Sequence, residues 1–261
     1  GRTRCYVRRM PAPDPAPRPR GVRGQFLGIL AARALGSLLQ AVALVVLARS
    51  VPAAEFGFVN VVIAVVGIVL VATGLGLSLF VPFARARGEA DALAAALRLN
   101  TTTNVLSALV LVPAVAVWAA ANGAPAGAVL IGASLALERN VDTLLGVPVA
   151  DGDAKVSALS MLVRRTVALA VFLPGLTLGA DPVWAFSSGL VVGALAAQLH
   201  VRRAVRGLPG DARAVPVRTV VGRSWPFLAA NLTGQARTLD VSVVALVLGA
   251  AHAGLYAAAV K

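Results

Sequence analysis

The sequence predicts an all-α protein, a polytopic bundle of membrane-crossing helices, and three observations carry that prediction. Of the 261 residues, 58% are hydrophobic and 13% charged, with a mean hydropathy of +0.83, which lies outside the range of soluble domains. Phe56 to Ala84 and Leu99 to Leu137 run for 29 and 39 residues without an Asp, Glu, Lys or Arg. A helix that faces water keeps a polar stripe, and these stretches have none. Finally, the basic residues fall in short runs between the apolar segments rather than over one polar surface.

A bilayer core of about 30 Å needs roughly 20 helical residues to cross it. Runs of that length predict seven spans, over 26–48, 56–81, 99–121, 125–149, 157–179, 182–201 and 225–249. The first ends at Arg49 and Val51-Pro52. Asn122-Gly123-Ala124-Pro125 closes the third, and Ala180-Asp181-Pro182 closes the fifth. Such Gly, Pro and Asn clusters are turn formers between helices. After Gly249 the segment Gly254-Leu255-Tyr256-Ala257-Ala258-Ala259-Val260-Lys261 reads as the start of an eighth helix. At an offset of 197, Ala48, Ala53, Ala54 and Gly57 meet Ala245, Ala250, Ala251 and Gly254. That places the seventh helix as the repeat of the first, the parity of parallel internal repeats.

Residues 1–25 hold seven Arg and a Pro-rich stretch from Pro11 to Pro19, which predicts a disordered tail. Met10 is a candidate translation start. The apolar run from Phe26 to Ala48 exceeds the roughly 7–15 residues of a signal-peptide core. The expected organisation is a tail over 1–25, a six-helix lobe over 26–206, a basic connection over 207–223 and the beginning of a second lobe over 224–261.

The net charge of +13 would point to nucleic acid in a polar chain, but here its distribution reports topology. Seventeen basic residues fall in the tail and in the 82–98, 150–156 and 202–224 connections; the alternate connections hold only Arg49. Arginine and lysine concentrate on the cytoplasmic side, so the N-terminus is expected in the cytoplasm and the protein in the cytoplasmic membrane. Cys5 is alone and the two histidines, His200 and His252, are far apart, which excludes a disulfide framework and the usual zinc spacings. No metal and no cofactor is expected. The sequons at Asn100 and Asn231 fall on the cytoplasmic side and inside the membrane, away from any glycosylating compartment.

Several segments carry a resemblance. Leu47-Ala48-Arg49-Ser50-Val51-Pro52-Ala53-Ala54-Glu55-Phe56-Gly57 is similar to the element that follows the first helix of polysaccharide exporters of the multidrug/oligosaccharidyl-lipid/polysaccharide (MOP) superfamily, the Wzx-type flippases. Ser224-Trp225-Pro226-Phe227-Leu228-Ala229-Ala230-Asn231-Leu232 resembles that family's opening of helix seven, and Asp240 with Gly254-Leu255-Tyr256-Ala257-Ala258-Ala259 resembles its continuation. Members usually have twelve to fourteen helices, so the chain looks like the N-terminal half plus a fragment. The resemblance implies a flippase, not an enzyme, that moves an undecaprenyl-pyrophosphate-linked oligosaccharide across the membrane by alternating access, among membrane lipids and beside polysaccharide-assembly proteins. Three other readings stand beside it. One is a multidrug or cation antiporter of the same superfamily. Another is a membrane-embedded glycan polymerase or glycosyltransferase, although the longest connection, 202–224, is basic with Asp211 as its one acid. The third is a non-functional fragment.

Charged groups at bilayer depth cost about 2.5–3.5 kcal/mol each on insertion scales, so each needs a partner, water or a task. Helix four holds Glu138, Arg139 and Asp142. Glu138 and Asp142 share a helical face, and Arg139 reaches Asp142 at i,i+3. Either this is a neutralising intrahelical ion pair, or the face lines a wet cavity in which the carboxylates take a coupling cation or proton and Arg139 meets an anionic cargo. Helix seven repeats the pattern with Asn231, Gln235, Arg237 and Asp240. Arg33 and Gln40 form a sparse stripe on helix one, with Arg33 divided between cavity and headgroups. Arg164 and Arg165 are expected to snorkel to headgroups. A cavity with Arg33, Arg139 and Arg237 suits a pyrophosphate-sugar, since the guanidinium fork binds phosphate through two donors.

Overall fold

The computed structural model describes residues 22–235, with side chains from 30 to 233. The expected disorder of 1–21, the end of the seventh span, the eighth helix with its repeat, and Arg237 and Asp240 lie outside the described residues. So does the side chain of Gln235.

Among the described residues all regular structure is helical. The elements are α1 (Val22–Ser50), α2 (Ala53–Thr73), α3 (Leu77–Ala86), α4 (Ala90–Ala121), a 3₁₀ turn (Ala126–Ala128), α5 (Val129–Leu144), α6 (Gly146–Ala150), α7 (Ala154–Thr177), α8 (Pro182–Ala204) and α9 (Val217–Gln235). Among the described residues five helical segments are long and apolar enough to cross a membrane: Leu30–Ser50, Ala53–Thr73, Ala90–Ala121, Ala154–Thr177 and Pro182–Ala204. Leu35, Leu38, Leu106, Leu109, Val110 and Val117 lie exposed on α1 and α4, as lipid-facing side chains do. The chain is a multi-pass membrane protein.

Several expectations are corrected. The crossing expected from 99 already starts at Ala90, and α9 starts at Val217, inside the expected 207–223 connection. Residues 22–25, assigned to the tail, already belong to α1. The span over 56–81 is not one rod: α2 stops at Thr73 and α3 starts at Leu77, with Leu75 at φ 51° and Gly76 at φ 72° between them. Composition hides this break, because Gly-Leu-Gly is as apolar as its flanks while its backbone leaves the right-handed region. The span over 125–149 is likewise divided into the 3₁₀ turn, α5 and α6. At 16 residues α5 falls short of a crossing by itself.

Turn chemistry explains the ends. Pro52 precedes α2 in an extended conformation, and the Asp181 carboxylate accepts the Trp184 backbone N–H at 2.9 Å with Pro182 at the first helical position, the arrangement of a capped helix start. The alternation of the connections is realised in space. Asp151 joins Arg85, Arg223 joins Glu89, and the Asp211 N–H is accepted by Asp91 at 2.8 Å. The 82–98, 150–156 and 202–224 connections therefore meet at one end of the bundle. Gly127 lies against the backbone of Val183 and Trp184 at the other.

Packing follows small residues. Side chains at Gly189 and Gly193 would come within 2.5 Å of the Ala168 carbonyl and 2.4 Å of the Arg164 carbonyl, so α8 and α7 lie backbone against backbone, as small-residue seams allow in lipid. Phe172 and Phe186 meet edge to face at 5.5 Å across the same pair. Helix α1 packs on α7, and α5 sits between α4 and α8.

Candidate functional site

Helix α5 carries charges toward two neighbours at once. Glu138 and Asp142, one turn apart, face α7. There Arg164 Nη1 lies 3.1 Å from Asp142 Oδ1 and 3.7 Å from Glu138 Oε2, and Arg165 Nη1 lies 3.3 Å from Glu138 Oε1. The shared face of the two carboxylates is as the spacing requires. The intrahelical pair of Arg139 with Asp142 is not formed, and Arg164 and Arg165 do not reach for headgroups. Arg164 is only 8% exposed. With α8 packed on both α7 and α5, these guanidiniums reach across to α5 inside the bundle, where a carboxylate is the partner that offsets their burial.

Arg139 turns to the opposite side. Its Nη2 lies 3.5 Å from Ser78 Oγ, its Nε is buried without a hydrogen-bond partner among the described residues, and a side chain on Gly74 would come within 3.5 Å of that Nε. Ser78 Oγ also accepts from Asn231 Nδ2 at 3.1 Å. The break between α2 and α3 thus receives a cation from α5 and an amide from α9. Among the described residues Arg139 makes no ion pair within 4.0 Å. On the facing stretches of α5 and α7 three arginines meet two carboxylates, so one positive charge is left over, and it is placed at the break.

The other expected residues divide accordingly. Gln40 lines a small cavity of about 60 Å³ with Glu138, Arg165, Phe186 and Leu190, on the α7 side of α5 and away from Ser78. Arg33 is exposed on α1 and has no polar contact among the described residues. The structure does not bring it to Arg139. Asn231 joins Arg139 through Ser78.

Sequence reasoning passed over Ser78 and a buried amide cluster. Asn140 Oδ1 accepts from Asn100 Nδ2 at 2.7 Å and lies 3.4 Å from Thr101 Oγ1, while Asn104 Nδ2 donates to Asn100 Oδ1 at 3.0 Å. With its amide oxygen turned inward, Gln198 accepts from Asn140 Nδ2 at 2.7 Å and from Arg202 Nε at 2.8 Å. The run Asn100-Thr101-Thr102-Thr103-Asn104 inside an otherwise apolar helix was the signal: buried amides need partners from another helix. Outside the membrane core, Arg85 holds Asp151 through two hydrogen bonds of 2.8 and 3.0 Å, and the carboxylate raises the Arg85 pKa above its ordinary value.

Broken second and fourth crossings, a basic end where three connections meet, and a ninth helix laid on the break define a polytopic helical bundle, and its fold is shared by solved transporters of the MOP superfamily. The chain is similar to a crystal structure of a MATE protein in complex with Br-NRF with a TM-score of 0.67 at 17% identity, over 91% of this chain and 61% of that one. A MOP superfamily transporter from Pyrococcus furiosus, described as having a binding pocket of reversed polarity, gives 0.62 at 19% over 86% and 55%. The outward-facing form of a multidrug resistance MATE family transporter gives 0.61 at 20% over 87% and 55%. The chain therefore spans little more than half the length of these proteins, and at such identities the likeness is one of fold. No protein-family model and no curated protein sequence matches the chain.

Proposed function

We propose that the chain forms the first lobe of a MOP-type transporter whose cargo is an anionic amphiphile, an oligosaccharide linked through pyrophosphate to a polyprenyl lipid. Arg139 carries this reading. A guanidinium inside a membrane bundle that makes no ion pair among the described residues, its carboxylate neighbours taken by α7, is a phosphate-binding group awaiting an anion. It faces the junction of α3, α5 and α9, which in this reading is the seam between two lobes. Rocking the lobes about that seam would expose Arg139 to one leaflet and then the other while the lipid tail stays in the bilayer. No covalent step is required. In this proposal the arginine-rich end faces the cytoplasm of the cell membrane.

The antiporter reading has an observation in its favour, since a multidrug resistance transporter shares the fold. A cationic drug calls for surplus carboxylate, whereas Glu138 and Asp142 are already engaged by arginine.

In cells whose surface polysaccharide depends on the protein, Arg139→Gln should abolish export at unchanged membrane abundance, and Arg139→Lys should retain part of it. Unaltered export in Arg139→Gln, or efflux of ethidium by the parent protein, would hand the function to the antiporter reading. Reporter fusions after Ala54 and Gly210 should land in opposite compartments.

A further inference from the structure

On an isolated α5, Arg139 and Asp142 are neighbours at i,i+3 and would pair. They do not, and the reason lies on α7. Arg164 is almost fully enclosed, and α8 fixes its backbone, since a side chain on Gly193 would come within 2.4 Å of the Arg164 carbonyl. Left without Asp142, Arg164 would be a buried cation sharing one carboxylate with Arg165, whereas Arg139 has hydroxyl and amide neighbours on its other side. The competition for Asp142 therefore goes to Arg164.

We propose that Arg164 is a positioning residue: by occupying Asp142 and sharing Glu138 it denies Arg139 an intrahelical partner, and so holds that guanidinium at the α2–α3 break beside Ser78 and Asn231. The polarity of the seam is set by a residue on the far side of α5 that does not touch it. This matters for transport only under the function proposed above, but the placement can be measured without any cargo.

The test uses the Cys5→Ser, Ser78→Cys protein in inside-out membrane vesicles. The rate of thiol modification at position 78 is measured with an anionic and a cationic methanethiosulfonate, and their ratio reports the local potential. Removing one charge at this range should lower the ratio about tenfold. Arg139→Gln should produce that fall, and Arg164→Gln should match it because Arg139 swings to the vacated Asp142. Adding Asp142→Asn to Arg164→Gln should restore the ratio, and Asp142→Asn alone should leave it intact. An ion pair that merely held α5 to α7 would make Arg164→Gln and Asp142→Asn behave alike, which overturns the proposal. So does an unchanged ratio in either Arg139→Gln or Arg164→Gln. Should Arg164→Gln fail to accumulate, Arg164→Lys is read instead, with a smaller fall that Asp142→Asn again cancels. If the ratios behave as described while Arg139→Gln still exports polysaccharide, the positioning role stands and the anionic-cargo reading fails.

Discussion

Gly76→Ala probes how tightly α9 is seated on the broken second crossing. At φ 72° an alanine costs about 1–2 kcal/mol from the left-handed backbone alone. Its Cβ would also stand 2.3 Å from Leu228 N, 2.7 Å from Ser224 O and 2.8 Å from Phe227 C. All three are backbone atoms, so no rotamer change relieves the overlap, and α9 has to move as a unit. Over-packing of this kind adds about 1–3 kcal/mol, for a total of about 2–5 kcal/mol. Gly88 supplies the control. It has φ 70° and nothing within 4 Å of an added Cβ, so Gly88→Ala carries only the backbone cost of about 1–2 kcal/mol. The assay is the thermal midpoint of the detergent-solubilised protein, followed by size-exclusion fluorescence. Gly76→Ala should lose clearly more than Gly88→Ala. Equal losses would mean that α9 does not bear on Gly76, and the seam described here would have to be redrawn.

Three further outcomes are expected. Asn140→Leu strands the Asn100 amide in the bundle and should cost about 1–3 kcal/mol. The Asn100→Leu, Asn140→Leu double variant should cost less than the sum of the two single ones, and a thermal double-mutant cycle measures the difference. Charge reversal by Arg223→Glu should increase proteolysis of the 205–216 connection, and adding Glu89→Arg should suppress it; failure of the swap to protect would count against the pair. The Arg85–Asp151 pair is well exposed, with 29% and 42% of the two side chains accessible. Asp151→Asn should therefore cost less than about 1 kcal/mol of stability, and any loss of thermal midpoint should vanish at high salt.

The amino-acid sequence alone determined that the chain crosses a membrane repeatedly, where the first, fifth and sixth crossings lie, and that alternate connections share an end. Those features depend on counts within one segment: uninterrupted apolar length, the Pro and Gly between segments, and arginine or lysine in every second connection. It also showed that Glu138 and Asp142 share a face, since that follows from helical pitch. Tertiary structure decided the rest. Whether Arg139 pairs with Asp142 or faces Ser78 depends on Arg164, 22 residues beyond Asp142, and on Gly193, which lets α8 press α7 into place. The break at Gly74, Leu75 and Gly76 leaves no mark in hydropathy, because it is a change of backbone dihedral that α9 then covers. Local spacing sets which partners a charge can reach; when several lie within reach, helix packing chooses among them, because the most deeply buried cation has the most to lose by going unpaired.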